Sequence, residues 1–148
     1  MSYSTERRAI EAYFAANWVG AIGYDAHAFT PTAGSVLLTI NSGAALQGSV
    51  GRLSNRIDHI GTLTVSIFTD GGKGSEAWRQ IADTAFGLLF ETRLNDDGAL
   101  AATTADTFIR FSPPQLAPRE HPSIAASFPA TPFHQTNLIA PFCRYEYR

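Results

Sequence analysis

The chain carries a single cysteine, Cys143, so no intrachain disulfide can form. None of its 148 residues belongs to an apolar run near the roughly eighteen that a transmembrane helix needs, and a mean hydropathy of −0.05 agrees. Charge is scarce as well, at 16% of residues against a usual quarter or so. No segment gathers more than two adjacent basic side chains, as at Arg7 and Arg8. With eleven basic and thirteen acidic residues the net charge is −2, which argues against nucleic acid as the main partner. Glu6, Arg7 and Arg8 stand where the apolar core of a secretory leader would begin, so a reducing cytoplasm is the expected place of synthesis.

Catalytic patterns are missing too, with one near match. Gly72-Lys73-Gly74-Ser75-Glu76-Ala77 fits the glycine spacing of a dinucleotide turn, and Asp96 and Asp97 follow about twenty residues later. That acidic pair lies in a turn, however, and the chain is too short for two mononucleotide-binding halves. A small nucleotide-binding enzyme built on Gly72 to Ala77 is therefore the rival from another class. A phosphate-binding lysine loop fails, because Ile67 stands six residues before Lys73 and Gly74 follows it. His27, His59, His121 and His134 form no ligand pair at metal spacing and read as surface or strand-edge residues. Cys143 sits in an expected strand without a histidine at nucleophile spacing and reads as a small buried hydrophobe. The serines lack a G-x-S-x-G elbow, and Asp58, Asp70, Glu76 and Asp83 read as solvated charges. No catalytic residue, cofactor or metal is expected.

What is present is enough for a core, since a chain of this length buries roughly 70% of the surface its unfolded form exposes. Ile10, Tyr13, Phe14 and Trp18 fall near helical spacing from Thr5 to about Trp18, with Ser4 or Thr5 as cap. Gly20 to Gly34 reads as an extended connection with one short strand around Ile22 to Ala26. Ser35 to Asn41 and His59 to Thr69 are β-rich, and between them Ser42 to Asn55 reads as a mobile, glycine-rich loop. Trp78, Ile81, Ala82, Ala85, Leu88 and Leu89 mark one face of a helix over Ser75 to about Leu94, with Ser75 as N-cap. Asn95 to Gly98 breaks it, Thr107 to Ser112 is a strand, and Pro113-Pro114 ends that strand. From Pro113 to His134 six prolines nearly exclude regular structure, and Phe128 and Phe133 suggest that this arm docks on something apolar. Leu138 to Tyr147 alternates as a final strand. The expected fold is one α+β domain over residues 1–148: a mostly antiparallel, mixed sheet, two helices on one face, and a long Pro-rich loop before the last strand.

Taken in order, these segments resemble a known family. A first helix ending in Asn17-Trp18 is followed by Phe29-Thr30-Pro31 leading into a strand. A glycine-rich loop then closes on Arg56 to Gly61. Thr64 to Phe68, Gly72 to Gly74, Ala77, Ile81-Ala82-Asp83 and Phe90, and a last strand ending in Arg144-Tyr145-Glu146-Tyr147, complete a pattern similar to the tail terminator proteins of long-tailed phages and phage-like particles. The Pro-rich segment is longer than that family suggests.

The resemblance implies a virion protein at the head-proximal end of the tail, assembled in the host cytoplasm. It implies a homo-oligomeric ring, usually of six copies, that caps the tail tube protein, stops tube growth and meets the head-tail connector. DNA would pass through the lumen without specific binding, and no membrane is involved. Gln47, Arg52, Asn55 and Arg56, with Phe128 and Phe133, are the expected protein-contact residues. Another head-tail connector or a tail tube ring component is the nearest rival.

Overall fold

The computed structural model describes residues 2–148. Helix α1 spans Tyr3–Asn17 and starts two residues earlier than its apolar spacing suggests, because the Ser2 hydroxyl accepts the Thr5 N–H at 3.3 Å as its cap. Strands β1 (Ile22–Gly23), β2 (Val36–Gln47) and β3 (Arg56–Asp70) follow, then α2 (Glu76–Leu89). Strands β4 (Arg93–Leu94), β5 (Ile109–Phe111), β6 (Ser123–Ala130) and β7 (Phe133–Tyr147) complete the chain. The sheet order is β1-β2-β3-β7-β5-β4, with β6 also paired to β7; only β1 and β2 run parallel.

The centre of the sheet is an unbroken antiparallel ladder from Arg56↔Tyr147 to Asp70↔Phe133. The second edge of β7 is divided, with β6 against residues 133–139 and β5 against residues 142–144. Pro141 stands at that division. Its carbonyl accepts the Ser112 N–H, so its nitrogen, which cannot donate, faces the same side, at the gap between β6 and β5.

Period-two alternation turns Leu63, Val65 and Ile67 of β3, Val36 and Leu38 of β2, and Leu138, Ala140 and Phe142 of β7 to one face. There they meet Ile10, Tyr13 and Phe14 of α1 and Trp78, Ala82, Ala85 and Leu89 of α2 in one core. Both helices thus pack on one face of a mixed sheet, as the sequence pattern predicts, and the sheet curls into a half-barrel. Burying side chains such as Ile10 and Phe14 completely stabilises by about 1.5–3 kcal/mol each.

Four elements differ from expectation. The segment read as a mobile loop, 42–55, is strand in its first part: β2 runs on to Gln47, and a register shift between Ser42 and Ala45 absorbs the mismatch against β3. Gly43 is needed there, since a Cβ would come within 2.9 Å of the Ile60 carbonyl. Helix α2 stops at Leu89 rather than Leu94, because Phe90 is extended, Glu91 is left-handed (φ 52°), and Leu94 is then claimed by β4. Ser75 does not cap α2 with its side chain; its hydroxyl accepts from Arg79 Nε at 3.1 Å.

The fourth difference is the Pro-rich segment, which is neither a free arm nor structureless. Its first half is tied to its own domain by Arg119 to Glu91 at 3.1 Å, by His121 against Phe90, and by Gln115 to Asp58 at 3.2 Å. Its second half is β6. An outermost strand tolerates the missing N–H of Pro129, which a central strand would not.

On the core face, Arg144 is the largest fully buried side chain and binds Glu6 of α1 at 3.0 Å, with Tyr3 under its guanidinium at 4.8 Å. Burial pushes the Glu6 carboxyl up against the pull of Arg144. Removing one partner strands a buried charge, so Arg144→Met or Glu6→Gln alone is expected to cost about 3–5 kcal/mol, and Glu6→Leu with Arg144→Met far less. Urea unfolding of the three variants checks this. Trp78→Ala is expected to lower stability by about 3–5 kcal/mol in the same assay, since this side chain is buried in the core.

Candidate assembly surfaces

Beyond Leu37 no described strand pairs with the outer side of β2, so this strand presents unpaired backbone groups up to Gln47. Strand β6 is likewise paired only on its inner side, and its residues are exposed. Neither Val-Leu-Leu-Thr-Ile-Asn-Ser-Gly-Ala-Ala-Leu-Gln nor Ser-Ile-Ala-Ala-Ser-Phe-Pro-Ala contains a charge. Folded proteins usually guard such edges with charges, and here only a register irregularity in each strand and Pro129 blunt them. The path β2-β3-β7-β6 is antiparallel throughout, so the two free edges lie on opposite sides of the sheet and run in opposite directions.

Large exposed apolar side chains collect at the same places. Leu46, Val50 and Leu53 project from the β2–β3 hairpin, with Val50 76% exposed, and Ile124 and Phe128 project from β6. Leu46, Val50, Leu53 and Ile124 were not singled out from the sequence. The available signal was an apolar residue inside a glycine- and serine-rich segment that offers nothing to bury it.

Of the expected contact residues, Gln47, Arg52 and Phe128 are exposed, Asn55 is half-buried, and Arg56 and Phe133 are engaged within the subunit. Gln47 ends β2, exposed, with its amide donating to the Ser49 carbonyl. Arg52 and Asn55 hold the hairpin tip through two 3.2 Å bonds between side chain and backbone, and the Asn55 backbone pairs with Arg148. Phe128 is on β6. Arg56 is engaged internally, 2.8 Å from Asp58 and over the Tyr145 ring. Phe133 packs edge-on against Phe68, which in turn meets Phe29.

The face of the sheet opposite the helices bears Thr39, Thr62, Thr64, Ser66, Gln135 and Asn137, and no charge from Ile60 to Phe68 of β3 or from Phe133 to Cys143 of β7. At its far end Asp58 corrects an expectation: it is buried rather than solvated, because Gln115 and Arg56 cover and pair it. The histidines also differ from simple surface residues. His59 meets Glu146 at 3.3 Å and His134 meets the Ser127 hydroxyl at 2.7 Å, both from central strands.

Chemistry at the glycine turn finds no frame. Gly72 and Gly74 have positive φ and precede α2, yet β3 and β4 are antiparallel to each other and separated by β7 and β5. A dinucleotide turn needs a parallel β-α-β crossover at that point. Among the described residues no three His, Cys, Asp or Glu side chains gather to hold a metal ion, and no helix is long and apolar enough to cross a membrane.

No family model matches the chain, and no curated protein matches it. One solved structure, named only by a sequence identifier, superposes over 100% of this chain and 99% of its own, with a TM-score of 0.62 at 15% identity. The two share a fold. A chain from the virion of a native gene transfer agent particle aligns over 98% of this chain and 100% of its own at 15% identity, with a TM-score of 0.48.

Cys143 is fully buried beside Asp58, and burial pushes its thiol up to about 12. A thiol in that state offers almost no thiolate at neutral pH. Native protein is expected to leave Ellman's reagent uncoloured and to yield one thiol per chain on unfolding in urea.

Proposed function

We propose that this chain is a structural subunit of a phage-like virion: a tail-terminator-like protein that joins head to tail into a ring, caps the tail tube and presents a surface to the head connector. The observation that carries this is the pair of charge-free edges, β2 and β6, on opposite sides of one antiparallel sheet. A contact between two different faces of the same subunit generates a ring when the rotation closes. The β6 edge of one copy and the β2 edge of the next are antiparallel, so their union extends the sheet without changing its pattern. With the helices outside, the uncharged Thr, Asn and Gln side chains of the other face line the lumen, where DNA passes with few cationic contacts to hold it. The hairpin tip, with Gln47, Val50, Arg52, Leu53 and Asn55, reaches the neighbouring ring, and Phe128 lies at the lateral junction. The sequence resemblance supports six copies and the tail tube and connector as partners.

Light scattering with negative-stain images, with and without tail tube protein, tests the proposal. Closed rings that cap short tubes are expected. Long tubes formed by this chain alone would make it a tube subunit, and a strict monomer that ignores tubes would end the ring reading. Ser42→Lys with Ala44→Lys blocks one edge, and Ala125→Lys with Ala126→Lys blocks the other. Each double variant is expected to stay folded and monomeric, and an equimolar mixture of the two to stop at dimers, because one junction then remains. Replacing residues 48–55 by a two-residue Asn-Gly turn is expected to leave rings intact and abolish tube capping, as counted in the same images.

A further inference from the structure

Strands β2 and β6 carry the same irregularity. On β2, Ser42 pairs with Gly61 and Ala45 with His59, an advance of three residues against two. On β6, Ile124 pairs with Leu138 and Ala126 with Asn137, an advance of two residues against one. Each edge strand therefore holds one residue more than the central strand beside it, and such a bulge bends its strand and strengthens the local twist.

The hydrogen bonds already made show which residues turn their backbone groups outward. The Val36 N–H donates to the Ala21 carbonyl at 3.1 Å, so Val36 and every second residue after it, through Ile40 to Ser42, point away from β3. Past the bulge the Gly48 N–H donates to the Arg56 carbonyl at 2.9 Å, which leaves Ala45 pointing outward. On the other side of the sheet, the Pro141 carbonyl accepts from Ser112, so the odd-numbered residues of β7 serve β5 and β6. Ile124, Ser127 and Pro129 pair with the even-numbered Leu138, Thr136 and His134 and so point away from β7. The side chains of both sets lie on the helix side. Ile40 and Ser42 alternate with Leu38 of the core, Ala45 pairs with His59, which meets Tyr3 of α1, and Ser127 and Ile124 share the side of Thr136 and Leu138.

We infer that β6 of one copy joins β2 of the next in a single register, bulge against bulge, with Ser42 opposite Ser127, Ala45 opposite Ile124 and Ile40 opposite Pro129. The register rests on the ring reading given above and adds to it the residues that meet. Outward backbone meets outward backbone only between residues whose side chains share the helix side, so the face that carries the helices continues from copy to copy. The three-residue step from Ser42 to Ala45 equals that from Ile124 to Ser127, and the ladder stays in step only where those two stretches lie opposite. Any other alignment leaves the residues between the bulges one out of step, with their side chains on the wrong face. The pairs also match in chemistry: an apolar pair, two hydroxyls, and a second apolar pair. Strand β1 covers β2 as far as Leu37, so a junction that begins at Ile40 leaves β1 in place, and Pro129, which has no N–H to give, falls at its end.

Pairs of introduced cysteines read this register. Directly opposite residues of this kind have Cα atoms about 5.5 Å apart, inside the roughly 4.4–6.8 Å that a disulfide spans, whereas diagonal neighbours are about 7–8 Å apart. The native Cys143 is buried, and Ser42, Ala45, Ile124 and Ser127 are all exposed. Oxidation of the assembled Ser42→Cys, Ser127→Cys protein, with free thiols alkylated before denaturation, is expected to give a ladder of covalent oligomers that ends in a closed ring. An equimolar mixture of the two single variants is expected to stop at dimers. Ala45→Cys with Ile124→Cys samples the same register independently and is expected to give the same ladder. Ile40→Cys with Ser127→Cys, and Ala45→Cys with Ser127→Cys, each one pair out of step, are expected to cross-link at least about tenfold more slowly. Light scattering before oxidation separates this register from ring formation itself. Rings in which the out-of-step pairs cross-link as fast, or in which neither in-step pair cross-links, would overturn the register and leave the ring standing. A protein that stays monomeric at every concentration would overturn both.

Discussion

The pairing of β3 with β7 is the constraint on which everything else hangs. Fifteen consecutive residues of one strand face fifteen of the other without a shift, from Arg56↔Tyr147 to Asp70↔Phe133. A slip of one residue would turn Leu63, Val65 and Ile67 away from the helices and Thr62, Thr64 and Ser66 into the core. Arg144 fixes the register further, because only one alignment sets it beneath α1 where Glu6 can neutralise it. Strand β2 is then held by β3, and β6 and β5 divide the other side of β7 around Pro141.

That arrangement leaves two strands half used. Strand β2 outruns its parallel neighbour β1 after two residue pairs, and β6 ends the sheet on the opposite side. Most proteins would guard such strands with lysine or glutamate, and this chain, already poor in charge, has none in either. Low charge content, exposed apolar side chains and unpaired backbone therefore coincide on surfaces that a second copy can satisfy. The helices and the buried ion pair keep the subunit rigid while those edges stay open.

The helices and central strands were legible because periodicity reports burial directly: Ile10, Tyr13 and Phe14 at helical spacing, and Leu63, Val65 and Ile67 at strand spacing, all lie in the core. The extension of β2 was not legible. Ser42 to Gln47 buries nothing, so its residues carry no pattern, and only pairing with β3 makes them a strand. Strand β6 was hidden by Pro129 and the prolines flanking it, because the cost of a proline depends on which edge it faces, a tertiary fact. Asp58 was misread for the same reason, since its partners Arg56 and Gln115 meet only in the fold. Among the expected contact residues, Arg56 and Phe133 are engaged within the subunit, which their polarity or size alone does not report.

Amide hydrogen exchange on the assembled and dissociated protein tests the central claim most directly, because it reads the backbone groups that the two edges leave unpaired. Union of β2 with β6 predicts slowed exchange on assembly over residues 38–47 and 123–130, with α1 and α2 unchanged. Slowing confined to the helices, or no change along either edge in a protein that still forms rings, would contradict it.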